Sequence, residues 1–210
     1  MTESKLREEI CWFGKSIFDR GLTGGSSGNI SVRVDGGFLM TPTNSCLGRL
    51  DPATLSKVDS SGNTVSGDKP TKEAFLHLSM YAERPGAGAI VHLHSTHSVA
   101  VSVLADTDPL NPIPPITAYY VMKIGRLALL PYYAPGDMTL ANAVREAARR
   151  HHAVLLSNHG PVVAGKDLET AVYATEELEE TAKLYLLLRG SKIKLLSADQ
   201  QADLERRYPS

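Results

Sequence analysis

The segment Ala89-Ile90-Val91-His92-Leu93-His94-Ser95 constrains this chain more than any other. Ile90 to Leu93 is a short apolar run with β-branched residues, and Gly86 and Gly88 lie just upstream, which together read as a buried strand. Side chains alternate faces along a strand, so His92 and His94 point one way and Leu93 the other. Two imidazoles about 7 Å apart along such a strand, leaning together, can hold one metal ion. Two further candidate ligands lie far off in sequence. His159 follows a second apolar run in Leu155-Leu156-Ser157-Asn158-His159-Gly160, and Glu73 sits in Pro70-Thr71-Lys72-Glu73.

The rest of the chain supplies a frame for these groups. Leu6, Ile10, Phe13 and Ile17 recur at helical spacing, which predicts an amphipathic helix ending near Gly21. The loop Gly21 to Asn29 is rich in glycine and serine, and it can cradle an anion with backbone N–H and hydroxyl groups. It is neither of the glycine-rich nucleotide loops, and it precedes a strand rather than a helix. Ile30–Arg33 and Phe38–Thr41 read as strands paired around Asp35-Gly36-Gly37, and Leu55–Val58 and Thr64-Val65 as a second hairpin. Thr41-Pro42-Thr43-Asn44-Ser45 offers a second loop of hydroxyl and amide groups.

Pro70 is expected to open a helix through Tyr81, with Thr71, Lys72 and Glu73 in its first turn, where an anion is favoured. His97–Leu104 reads as helix, Asp106–Pro115 as a proline-rich connector, and Tyr119–Met122 and Ala128–Leu130 as strands. A helix capped by Asp137 or Thr139 follows the turn at Pro135-Gly136. Strands at Ala153–Leu156 and Pro161–Ala164 bracket His159-Gly160. A long helix capped by Asp167 runs to about Gly190, and 192–210 reads as a polar tail or short helix. This is α/β, a mixed or antiparallel sheet with helices on both sides, in a single domain over 1–210.

Composition excludes several classes of function. With a formal charge of −1 the chain gives no case for nucleic acid or an anionic membrane surface, so an anionic ligand needs a local site. Cys11 and Cys46 form no metal or disulfide motif, the N-terminus has no signal-peptide core, and no apolar run reaches about 18 residues. A reduced, cytoplasmic setting with no membrane span is expected. Three neutral imidazoles and a carboxylate suit a borderline divalent ion, zinc first. Structural zinc leans on cysteine, so a histidine-rich set points to a catalytic ion acting as a Lewis acid.

Taken together, Gly28-Asn29-Ile30-Ser31-Val32-Arg33, Thr41-Pro42-Thr43, Glu73, His92-Leu93-His94 and His159-Gly160 resemble, in order and spacing, the class II aldolase family. That family holds fuculose-phosphate-type aldolases, ribulose-phosphate 4-epimerases and the adducin head, a non-catalytic interaction domain. The resemblance implies a three-layer α/β/α domain with a mostly antiparallel central sheet, and a homotetramer with active sites at subunit interfaces. It implies one zinc ion per subunit on His92, His94, His159 and Glu73, with Glu73 also the acid/base. Ser26, Gly28, Asn29, Thr43 and Asn44 fall on the phosphate loops, and Thr71 and Lys72 on a substrate-binding pair that is two serines in the fuculose-phosphate aldolases. A tyrosine contributed from a neighbouring subunit falls at Tyr119 or Tyr120, with Tyr119 favoured.

Within the family, Tyr119–Met122 and Pro131–Asp137 are most similar to the branch that decarboxylates 3-oxo-tetronate 4-phosphates in sugar-acid catabolism. Loss of CO2 from such a β-keto acid leaves the ene-diolate of dihydroxyacetone phosphate, the intermediate that the aldolases also stabilise. Lys72 then becomes a candidate for binding the departing carboxylate or protonating the enolate. Aldol cleavage of a sugar phosphate is the nearest alternative. The full ligand set argues against a non-catalytic interaction module.

Overall fold

The computed structural model describes residues 2–134 and 136–208; Pro135, part of the expected turn before the fifth helix, lies outside them. The elements run α1 (Glu3–Asp19), β1 (Asn29–Val34), β2 (Gly37–Met40), β3 (Ser56–Asp59), β4 (Thr64–Ser66), α2 (Ala74–Glu83), β5 (Ala89–His92), α3 (Thr96–Ser102) and α4 (Ala118–Lys123). They continue with β6 (Leu127–Leu130), α5 (Met138–Ala148), β7 (Ala153–Leu156), β8 (Gly160–Gly165), α6 (Leu168–Leu188) and α7 (Ala198–Arg207).

All eight strands join one sheet in the order β4-β3-β2-β1-β5-β8-β7-β6. Every neighbouring pair is antiparallel except β6 and β7. Strand alternation sorts the apolar side chains to two faces. Val32, Val91 and Leu93 meet Ile10, Phe13 and Ile17 of α1 and Leu168 of α6. Ile90, Val154 and Val162 meet Leu76 and Met80 of α2 and Leu140 and Val144 of α5. Ala153, Leu155 and Val163 pack with α4 and the middle of α6. The three-layer α/β/α architecture follows, with its mostly antiparallel sheet. No helix among the described residues is long and apolar enough to cross a membrane.

The structure corrects three local expectations. Residues 119–122 form helix α4 rather than a strand. Thr117 caps that helix by accepting from the Tyr120 N–H, and Tyr120, Val121 and Ile124 recur at helical spacing on the buried side, so packing overrides the strand preference of the Tyr-Tyr-Val run. Helix α2 begins at Ala74, not Pro70. Pro70 is bridged to Pro42, and the Thr71 N–H donates to the Thr41 carbonyl, which holds this stretch extended. Finally, β5 ends at His92, so His94 lies two residues beyond the strand.

Gly160 marks the tightest approach in the fold. A Cβ there would stand 2.1 Å from the Leu93 carbonyl oxygen. Only glycine lets the start of β8 lie against the end of β5 and bring His159 beside His94. Gly160→Ala is expected to destabilise the protein by at least about 1–3 kcal/mol, the range for overpacking a filled site, and to lower its metal content. Denaturant unfolding and metal analysis of the variant check both.

Candidate metal centre

The strand register sets up the site. Asn29, at the start of β1, lies opposite His92, at the end of β5. His159 enters from the turn before β8, and His94 from the segment leading into α3. Glu73 comes from the N-cap of α2 and makes no capping bond with its own side chain. It turns instead toward the imidazoles. His92 Nε2 and His94 Nε2 are 3.1 Å apart, as are His94 Nε2 and His159 Nε2. Glu73 Oε2 is 3.4 Å from His92 Nε2, and Glu73 Oε1 is 3.0 Å from His159 Nε2. All four ligand atoms lie within 4.8 Å of one another.

Those spacings suit a single ion. Four donors placed tetrahedrally about 2.0–2.1 Å from one centre stand roughly 3.3 Å from each other. The His92 tautomer suits it too. His92 Nδ1 is 2.8 Å from the Pro161 carbonyl, so Nδ1–H donates there and Nε2 turns its lone pair inward. Burial, with His92 and His159 alongside, pushes the His94 pKa down to about 4, so at neutral pH it is the neutral imidazole that metals bind. Burial pushes the Glu73 carboxyl up, but the imidazoles of His159 and His92 outweigh it and hold Glu73 well below the usual carboxylate range.

Behind Glu73 runs a buried polar chain through His77, which sequence reasoning missed. Asn29 Nδ2 donates to Glu73 Oε2 at 2.7 Å. Its Oδ1 therefore faces His77 Nε2, 2.5 Å away, and must accept from it. His77 Nδ1 is then the acceptor for Ser31 Oγ–H at 2.7 Å, and Tyr81 OH donates to Ser31 at 3.0 Å. Each donor in the line is fixed by its neighbour, which pins the Glu73 carboxylate in place. The periodicity of α2 carried a signal, because His77 lies one turn beyond Glu73 and Tyr81 one turn beyond His77.

A second missed residue is Glu179. It is buried on α6, where it accepts hydrogen bonds from the His97 and Ser98 N–H groups at 2.8 Å and from Ser98 Oγ at 2.7 Å. It thereby ties down the first turn of α3, which begins two residues after His94. The available signal was an acid one helical turn beyond Thr175 on an apolar stripe.

The other expected site residues divide. Gly28 packs against the His92 carbonyl at a left-handed φ of 80°, where a side chain would be strained. Thr23 and Ser27 brace the first loop internally, and Ser26 is exposed at its tip. The second loop, with Thr43 and the exposed Asn44, is tied to the α2 approach by the Thr43 N–H to Lys69 bond and the Thr71 to Thr41 bond. Thr71 is buried, its hydroxyl accepting from the Glu73 N–H, while Lys72 is exposed beside it. Both loops thus border Glu73. Tyr119 is exposed on α4, which packs chiefly on α6 and α7, and this chain does not bring it to the cluster. Tyr120 is buried in the core.

Residues 8–186 match the model of the class II aldolase and adducin N-terminal domain. The chain belongs to that family. Among class II aldolase relatives, a 3-oxo-tetronate 4-phosphate decarboxylase of Haemophilus influenzae is 49% identical, with 99% of each chain covered. An L-fuculose phosphate aldolase of Methanocaldococcus jannaschii is 38% identical over 85% of this chain and 93% of its own. The crystal structure of YgbL from Klebsiella pneumoniae superposes with a TM-score of 0.95 at 48% identity, covering 97% of this chain and 99% of that one. The class II aldolase fold is therefore shown, and the cluster gives it a candidate metal centre.

Two outcomes follow. His92→Ala or His159→Ala, if folded by circular dichroism, should retain far less divalent metal after dialysis than the parent protein. In the metal-free protein, neutral His77 sets an acid limit. Burial pushes its pKa down to about 3, whereas the unfolded chain takes up that proton near about 6.5. The unfolded state binds more protons in this window, so stability is full above about 6.5 and falls as the pH drops toward 3. Urea unfolding across that range should show the decline, and His77→Gln should flatten it.

Proposed function

We propose that this chain decarboxylates 3-oxo-tetronate 4-phosphate, giving dihydroxyacetone phosphate and CO2. The observation that carries this reading is the contrast in identity: 49% over almost the whole chain to the decarboxylase, against 38% over less of it to the aldolase. We assign His92, His94, His159 and Glu73 as holders of one divalent ion, zinc by the nature of the donor set. When bound, that ion supplies Lewis acidity to the substrate's ketone oxygen.

The chain's own residues do the rest. Ser26, Gly28, Thr43, Asn44 and Thr71 grip the phosphate with neutral hydroxyl, amide and backbone donors. Asn29 joins them only by exchanging a partner, since its amide spans Glu73 and His77. Lys72 stands exposed at the mouth of α2, where its ammonium can pair with the substrate carboxylate. Breaking the carbon–carboxylate bond removes no proton from carbon, so it needs no base. The resulting enolate carbon must then be protonated; Glu73, ionised at rest and bonded by Asn29, is placed to take a proton from solvent water and pass it to that carbon. Tyr119, exposed where Tyr120 is buried, is the tyrosine available to complete the site of a neighbouring subunit in a homotetramer. The enzyme works in the cytoplasm on this reading. Aldol cleavage of a sugar phosphate remains the second reading, because the same cluster serves it and the aldolase identity is substantial.

Incubation with 3-oxo-tetronate 4-phosphate decides between them. Stoichiometric CO2 and dihydroxyacetone phosphate are expected; release of an aldehyde without CO2 would support the aldolase. Glu73→Gln should release CO2 in its first turnover and then stall before proton delivery, visible in single-turnover quench. Lys72→Ser should weaken transition-state stabilisation by about 1–3 kcal/mol, the range for a lost charge-assisted hydrogen bond, read from kcat/KM. An unchanged value would remove Lys72 from the mechanism.

A further inference from the structure

A second cavity lies at the opposite end of the sheet. β5 and β8 are antiparallel, with His92 opposite Val162 at the cluster end and Ala89 opposite Gly165 at the other. At that other end a groove of about 720 Å³ opens between the end of α2, α4 and the start of α6. Its volume lies within the range of small-molecule sites. Arg84, Lys123, His152 and Lys166 line it, together with the ring of Tyr173 and the apolar walls of Pro85 and Met122. A smaller cavity of about 300 Å³ adjoins it and shares Arg84 and His152.

The charge at this end is unbalanced. The groove's one acid, Glu83, is already taken by Arg145 at 2.6 Å and Arg149 at 3.4 Å. In the adjoining cavity Glu205 faces Arg126 at 3.9 Å. Among the described residues Arg84, Lys123 and Lys166 form no ion pair. Arg84 donates one hydrogen bond to the Ala148 carbonyl, and the Lys123 ammonium lies 5.5 Å above the centre of the Tyr173 ring.

His152 is the most informative group. Its Nδ1 is 3.0 Å from the Ala164 carbonyl, and its Nε2 is 3.0 Å from the Ile124 carbonyl. A neutral imidazole has one N–H and can satisfy only one of them; the imidazolium satisfies both. Burial, then the Arg84 guanidinium and His151, works against that charge, while the two carbonyls favour it. Around it stand Arg84 and Glu83 from α2 and its end, and Lys123 and Arg126 from α4 and the following turn. Arg150 comes from beyond α5 with His151 beside His152, Lys166 and Tyr173 from the α6 side, and Glu205 and Tyr208 from α7 and its C-cap. The surplus is cationic. An anion seated among these cations would offset the repulsion and let His152 bond both carbonyls.

We propose that this groove binds a small organic phosphate, its phosphate among Arg84, Lys123 and Lys166 and its apolar or planar body against Tyr173, Pro85 and Met122. Binding is coupled to protonation of His152. The site lies across the sheet from the metal centre and does not depend on the decarboxylase reading.

The test titrates the metal-loaded protein with phenyl phosphate, inorganic phosphate and benzoate, observing the histidine ring nitrogens by NMR with His152→Gln to assign the His152 signals. Phenyl phosphate is expected to move the His152 nitrogens toward the doubly protonated imidazolium, at lower concentration than inorganic phosphate. The Lys123→Gln/Lys166→Gln double variant, which changes one half-buried and one exposed side chain, should weaken that binding at least about tenfold. Shifts confined to His92, His94 and His159 would place the phosphate only at the metal centre and overturn the proposal. So would unchanged affinity in the double variant, or benzoate binding as tightly as phenyl phosphate.

Discussion

Nitrogen lone pairs and carboxylate oxygens turned toward one point, partly out of water, repel one another unless a cation stands among them. His92, His94, His159 and Glu73 are held in that arrangement by bonds made elsewhere. The Pro161 carbonyl fixes the His92 tautomer, Asn29 fixes the Glu73 carboxylate, and Glu179 anchors the helix that follows His94. Several of these supports are buried polar groups whose own desolvation is costly unless fully bonded. A fold that invests in them gains a preorganised cation site, because the ligands need little rearrangement on binding.

The sheet order makes this convergence geometrically simple. β5 is central, with β1 on one side and β8 on the other, all antiparallel. Asn29 starts β1, His92 ends β5 and His159 precedes β8, so the three meet at one end of the sheet although they are distant in sequence. The same antiparallel order places Ala87, His152 and Gly165 at the opposite end. There the charged side chains that line the groove are mostly cationic. The candidate metal centre and the proposed anion groove thus lie at opposite ends of one sheet.

Much of this was legible in the chain. The His-x-His strand, the second buried run before His159-Gly160 and the capped helices all carry local signals that packing reinforced. What the sequence hid was what tertiary contact decides. Tyr119–Met122 has strand-forming residues but is helical, because Thr117 caps it and its apolar side faces the core. Pro70 suits a helix start, yet its bridge to Pro42 keeps the chain extended until Ala74. The His94 geometry was only half legible: the residue faces its partner as alternation requires, but from beyond the strand, which allows a closer nitrogen–nitrogen approach than a flat strand would. The line from Tyr81 through Ser31 and His77 to Asn29 joins two elements, and only α2 showed its half in sequence.

The central claim is that these four side chains bind one ion together. X-ray absorption at the metal edge of the protein, purified with its metal, tests this most directly. Three imidazole nitrogens with one or two oxygens at about 2.0–2.1 Å are predicted. A sulfur ligand near about 2.3 Å, fewer than three imidazoles, or no metal retained by the folded protein would contradict the account.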